Sequence, residues 1–200
     1  MKRQTLTTVL IAAAAVLLPV LIVSSFAGMG RRTASLAQAE SSVVTVHPHE
    51  ERIENADSAG RTTVFLAGTI DMGNSVDWQA RADSLFAALP SGRFMLFNPR
   101  QEHWDAAKPG EMDYQVNWEL EHLEQADWII MNFLPGSQSP ITLLELGLHA
   151  RGGRLLVICP PEFYRYDNVR ITCAKYGAPM FATLEDAVRH ISRNERTPGR

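Results

Sequence analysis

A chain of 200 residues with 46% hydrophobic content, a net charge of −3 and two cysteines has room for one ordinary domain and an appendage, not for two full domains. The near-neutral balance carries no basic surplus, so no nucleic-acid partner is expected, and two cysteines exclude a disulfide-stapled miniprotein. The charge is unevenly spread: +4 through Arg32, −4 over residues 33–60 and −3 from Arg61 onward.

Lys2 and Arg3 precede a stretch without charge that ends only at Arg31, and within it Val9 to Val23 reads VLIAAAAVLLPVLIV. A helix of a small domain does not need an apolar surface on every side. Residues 1–32 therefore read as a signal peptide or a membrane anchor. Ser25 and Ala27 suit a signal peptidase, while the uncharged length suffices to span ~30 Å of hydrocarbon. Either way the chain is expected at a membrane or exported rather than cytoplasmic. Residues 33–60, rich in Ala, Ser and Glu, read as a flexible acidic linker. His47 and His49 fall within it, as solvated side chains or, on a weaker reading, as a metal site.

From Arg61 strand and helix alternate. TVFLAG is a continuous apolar run ending at Gly68, which suits a buried parallel strand. Trp78, Ala82, Leu85, Phe86 and Leu89 share one helical face, stopped by Pro90-Ser91-Gly92. Phe94 to Phe97 is a strand ended by Asn98-Pro99. The next helix is predicted from about Tyr114 to Ala126, burying Val116, Leu120 and Leu123. Trp128 to Phe133 is the third strand. Ser139 as N-cap and Pro140 at the first helical position open a helix that runs through Ala150. Leu155 to Ile158 is a strand. Val169, Thr172, Cys173 and Tyr176 mark a helix closed by Gly177. Met180-Phe181 is a short strand, and Thr183 with Asp186 opens the last helix. Residues 194–200 are a tail.

Five strands alternating with five helices over 61–193 imply an α/β fold, an open, mostly parallel five-stranded sheet with flanking helices of the flavodoxin or Rossmann type. A ligand then lies beyond the carboxyl ends of the strands, in the loops that start at Gly68, Asn98, Leu134 and Cys159. Phosphate-loop, dinucleotide and nucleophile-elbow motifs are missing from the sequence. Carboxylates are the better signal. Glu145 sits in ITLLELGLHA, where burial is costly unless it has a partner or a task, the alternative being a thin exposed stripe. Asp71, Glu119 and Asp127 lie near strand ends or on the second helix, with cap, solvated-face and loop-polar roles as the plainer readings.

The pieces VFLAGTID, FNPRQEHWD, QVNWELEHLEQADWIIMNF and SPITLLELG together resemble the nucleoside 2-deoxyribosyltransferase-like superfamily, over about Thr62 to Val188. The resemblance places that family's glutamate nucleophile at Glu145 and its nearby threonine at Thr142. It aligns the aspartate after the first strand with Asp71 and the alanine-aspartate pair with Ala126-Asp127. Asn98 to Arg100 and Trp118-Glu119 match a branch known only as "like" the transferases. Two positions depart from the better-known enzymes, with Ser139 in place of aspartate and Ile141 in place of glycine.

The chemistry is consistent with these residues. A carboxylate can trap the oxocarbenium-like sugar as a covalent glycosyl-enzyme while another acid protonates the departing base. No metal and no organic cofactor is required. The expected catalytic set is Glu145, Asp71 and Asp127. The expected substrate-binding set is Gly68, Asn98, Arg100, Trp104, Trp118, Glu119, Ser139 and Thr142. Trp104, Trp118 and Phe133 could stack a nucleobase or simply fill the core. The expected partner is a small nucleoside or nucleotide. A membrane is a further partner if the leader is uncleaved, and a homo-oligomer is expected by analogy with the family. The alternative is a nucleoside- or nucleotide-binding module that kept the fold and lost catalysis.

Overall fold

The computed structural model describes residues 42–50, 52–54, 59–105 and 107–194. The chain divides into two units, Met1–Gln38 and Ala39–Arg200, and the described residues all fall in the second. The leader and residues 195–200 of the tail lie outside the described residues. Among the described residues no helix is long and apolar enough to cross a membrane.

Six strands form one parallel sheet: β1 (Val43–Val46), β2 (Thr62–Gly68), β3 (Phe94–Phe97), β4 (Trp128–Asn132), β5 (Leu155–Ile158) and β6 (Met180–Phe181). Their order is β1-β3-β2-β4-β5-β6. The expected count was five. The sixth strand is VVTV, inside the segment read as linker, and it pairs Val43 with Phe94 through Val46 with Phe97. Two β-branched ends of this strand, Val43 and Val46, are buried, so four apolar residues in a polar context suffice for an edge strand once a partner edge exists.

Among the described residues one helix follows each of β2 to β6: α1 (Trp78–Ala87), α2 (Glu111–Gln125), α3 (Pro140–His149), α4 (Tyr166–Tyr176) and α5 (Leu184–Arg193). The pleat sends alternate strand residues to opposite faces. Val64, Leu66, Leu96 and Ile130 pack with Trp78, Ala82 and Phe86 of α1 and with Ala187, Val188 and Ile191 of α5. Phe65, Ala67, Phe97, Ile129 and Met131 pack with Trp118 and Leu123 of α2, Leu146 and Ala150 of α3, and Val169 and Cys173 of α4. Right-handed crossovers account for the split. The chain moves one way from β2 to β3 and the other way from β3 through β6, so α1 lies on one face and α2, α3 and α4 on the other. The reversal falls between β2 and β4, which is the switch point of the sheet.

At α2 the sequence pattern misleads. The helix starts at Glu111 rather than near Tyr114, and Val116 and Leu120, expected inside, are exposed at 43% and 42%. Glu111, Gln115, Trp118 and His122 face inward instead. The cap of α5 is as expected, with Thr183 Oγ1 accepting from the Asp186 amide at 3.1 Å.

Candidate active site

Helix α3 is inside out by composition. Its sequence PITLLELGLH buries Thr142, Glu145, Leu146 and His149, while Ile141, Leu144 and Leu148 are 58%, 60% and 57% exposed. The exposed-stripe reading of Glu145 is thereby overturned: the carboxyl is turned inward beside Leu146, while Ile141, Leu144 and Leu148 are the surface. Ser139 holds the N-cap position but does not cap. Its backbone is left-handed, φ 43°, and its Oγ lies 2.6 Å from Thr69 Oγ1 and 2.8 Å from Ser137 Oγ. A non-glycine residue in that region is strained, and such strain persists only where surrounding contacts hold it.

Burial pushes the Glu145 carboxyl up to about 8, and the charge of Glu119 pushes in the same direction. Glu119 is also raised by burial, opposed by the hydrogen bond that Gln115 Nε2 donates to its Oε1 at 2.7 Å. Two like carboxyls that share a poorly solvated space cannot both ionise easily, so the pair keeps a proton near neutral pH. One turn beyond Glu145, burial and then the Arg154 guanidinium hold His149 below the ordinary imidazole range, so it is neutral at pH 7.

The switch point lies at the amino end of α3, at the carboxyl ends of β2 and β4. Gly68 has φ 143°, and a Cβ there would stand 2.4 Å from the Asn132 carbonyl oxygen, so only glycine lets the two strands close up. Thr69 follows. Its hydroxyl joins Ser137 and Ser139, and its carbonyl accepts from Trp78 Nε1 at 3.0 Å. Asp71 begins a short 3-10 turn with φ 49° and faces solvent. Asn98 ends β3 and accepts the Arg100 amide on its Oδ1 at 3.0 Å. The Arg100 guanidinium is committed to the β2–α1 loop, donating to Ser75 Oγ at 2.9 Å, to Gln79 Oε1 at 3.3 Å and to the Gly73 carbonyl at 3.4 Å. It acts as a clamp on that loop.

Of the expected site residues, Gly68, Asp71 and Ser139 gather at the switch point, with Thr142 and Glu145 on the next turns of α3 and Glu119 on α2, close enough for its charge to raise Glu145. Asn98 and Arg100 hold the adjoining loop. Trp104 is half-buried in the β3–α2 loop. Trp118 does not line the site. It is 4% exposed and packs against Phe65, Phe97 and His122. Phe133, offered as a stacking surface, packs on Phe163 in the core.

Asp127 also falls away from the site. Its Oδ2 accepts from the Thr63 amide and hydroxyl, both at 2.9 Å, and its own amide donates to Thr63 Oγ1. That brace ties the amino ends of β2 and β4, about 16 Å along the strand from Gly68. The adjacency to a strand that suggested catalysis is real, but it is the wrong end of the strand.

Several residues near the site were not foreseen. Thr69 and Ser137 complete the hydroxyl cluster. Glu111 and Gln115 precede the expected Glu119 at four-residue intervals on α2, a polar stripe legible in the sequence once the helix start is placed correctly. His47 is half-buried and His49 exposed, and both rings are hydrogen-bonded rather than free in a linker. His47 Nδ1 donates to the Arg100 carbonyl and His49 Nε2 to Glu111, each at 2.8 Å. Among the described residues no group of three His, Cys, Asp or Glu side chains is placed to hold a metal ion.

A family model described as nucleoside 2-deoxyribosyltransferase like matches residues 61–163, just over half of the chain. Among solved structures the chain is similar to a 2-deoxyribosyltransferase from the psychrotolerant bacterium Bacillus psychrosaccharolyticus. The identity is 16% and the TM-score 0.48, over 63% of this chain and 90% of that one. It is also similar to a conserved protein from Enterococcus faecalis V583, at 10% identity and a TM-score of 0.49, over 67% of this chain and 99% of that one. No curated protein matches the chain.

Proposed function

This chain belongs to the nucleoside 2-deoxyribosyltransferase-like family, and on that premise we propose that it cleaves the N-glycosidic bond of a deoxyribonucleoside or its monophosphate by a retaining mechanism. The observation that carries the reading is the buried Glu145, coupled to the half-buried Glu119, beside a switch-point loop. Ionised Glu145 attacks the anomeric carbon as the bond to the base breaks. The base leaves with the proton that Glu119 gives up, and the sugar is held as an ester of Glu145. Attack on that ester by water, or by a second base, breaks the ester and returns Glu145 as a carboxylate, while the proton lost by the attacking group passes to Glu119. At rest the Gln115 bond favours ionised Glu119 and Glu145 holds the proton; for attack that proton passes to Glu119, which leaves Glu145 ionised and gives Glu119 a proton for the departing base. Asp71 and Ser139, both held in left-handed backbone, face the sugar or base, with Thr142 one turn nearer Glu145. No cofactor enters these steps.

The exposed stripes Ile141, Leu144 and Leu148 on α3 and Met112, Val116 and Leu120 on α2 support a second proposal. A second copy of the chain covers them, giving the homo-oligomer expected of the family. Sedimentation of the full chain and of a Leu144→Asp variant tests it, and a wild-type monomer at micromolar concentration refutes it.

The functional test uses the full chain, because β1 comes from residues 43–46 and a cut at residue 60 would remove an edge strand. It is incubated with a panel of nucleosides and monophosphates, and free base is resolved by chromatography. Release that disappears in Glu145→Ala supports the proposal. Release at the wild-type rate in that variant overturns the nucleophile. Tight binding without release establishes the binding-module alternative.

A further inference from the structure

Residues 47–50 follow β1 and fold onto the start of α2. The His47 amide donates to Glu50 Oε2 at 2.9 Å, which closes the turn. The His49 amide donates to the Tyr114 hydroxyl at 2.8 Å, and its ring stacks on Tyr114 at 4.0 Å between centroids. Its Nε2 reaches Glu111 Oε1, while Lys108 Nζ reaches Glu111 Oε2 at 2.7 Å.

These bonds propagate. Hydrogen bonds from His49, Lys108 and Gln101 hold the Glu111 carboxyl down at about 2, so at neutral pH it only accepts. Gln101 must therefore turn its amide nitrogen toward Glu111, at 3.1 Å, and the same nitrogen donates to Gln115 Oε1 at 2.6 Å. With its oxygen so engaged, Gln115 points its nitrogen at the Pro99 carbonyl, 2.9 Å away, and at Glu119 Oε1. Each acceptor sets the orientation of the next amide, from the surface to the carboxyl coupled to Glu145.

We infer that the segment His47–Glu50 and Glu111 form a positioning element for the active site: His49 and Lys108 pin Glu111, Glu111 orients Gln101 and Gln115, and Gln115 aims a donor at Glu119. This rests on the reading of Glu119 and Glu145 as the reacting pair. None of the relay residues touches substrate in that reading. The segment ahead of the family domain thereby sets the ionisation of a pair inside it.

The test is a double-mutant cycle in the full chain with Glu111→Ala and Gln115→Ala, read by carboxyl-carbon NMR titration of Glu119 and Glu145. Losing the Gln115 donor removes a bond that favours ionised Glu119. Glu119 then titrates higher, and Glu145, relieved of a neighbouring charge, titrates lower. Both single variants are expected to move the pair in these directions, and the double variant no further than Gln115→Ala. In turnover, kcat falls about tenfold in each with KM little changed, the size of one hydrogen bond lost in the reacting state. Glu111→Gln, which keeps an acceptor for Gln101, recovers most of it. Unchanged titrations in Glu111→Ala, or additive effects in the double variant, overturn the relay. Should Glu111→Ala fail to fold, His49→Ala at the exposed end is expected to shift the pair the same way, and no shift there overturns the relay equally. Should the wild type release no base, the catalytic proposal fails while the titrations still decide the relay.

Discussion

Replacing Glu145 by glutamine should stabilise the protein, and the gain should grow with pH. Burial and Glu119 hold the carboxyl at about 8 against 4.5 for a free side chain. At ~1.4 kcal/mol per tenfold, the ionised form destabilises the fold by ~5 kcal/mol relative to the protonated one. The sign follows from proton uptake. The folded-state value is raised, so between pH 4.5 and 8 the folded chain binds more protons than the unfolded chain. Stability from this group is fully present below 4.5, falls as pH rises through that window and levels off above 8. Glutamine does not titrate. The variant should therefore match the wild-type pH slope below pH 4.5 and again above about 8, and should exceed the wild type by ~3 kcal/mol more at pH 7 and ~5 kcal/mol more at pH 9 than it does at pH 4. Glu119, freed of a like charge, adds to the trend in the same direction. Urea unfolding of the full chain at those pH values, followed by circular dichroism, measures it. Parallel stability curves for variant and wild type across the range would refute the burial of an unpaired, proton-holding Glu145. A residue that weakens its own fold when ionised is the expected mark of a group retained for chemistry rather than for packing.

Three other outcomes follow from the same geometry. Glu119→Gln removes the neighbouring charge that raises Glu145, so the acid limb of the kcat/KM profile for base release should move to lower pH; a limb left in place refutes the coupling. Gly68→Ala forces a Cβ against the Asn132 carbonyl at a positive φ and should lower unfolding stability by roughly 2–4 kcal/mol in a denaturant titration. Asp127→Ala strips the acceptor from the Thr63 amide and hydroxyl. It should cost ~1–3 kcal/mol of stability while leaving kcat for base release unchanged, and a loss of turnover at full stability would return Asp127 to the site.

The alternation of apolar runs with helical periods, the glycine and proline stops and the Thr183 cap are properties of neighbouring residues, and they determine the strand–helix order directly. The glutamate in SPITLLELG was legible because a carboxyl in so apolar a helix is out of place whatever surrounds it. What the tertiary structure decided is which way each element faces. On α3 Ile141, Leu144 and Leu148 turn outward and Thr142, Glu145 and His149 turn inward with Leu146, and on α2 Val116 and Leu120 turn outward while Gln115 is buried. Apolar periodicity marks one face of a helix but does not say whether the sheet or another surface will cover it. Asp127 and Asp71 each adjoin a strand in the sequence, and only the parallel register puts one at the floor of the sheet and the other at its switch point. VVTV reads as linker because four residues are too few to signal a strand by themselves. They become one because the free edge of β3, formed more than forty residues later, supplies the backbone partners that the local sequence cannot.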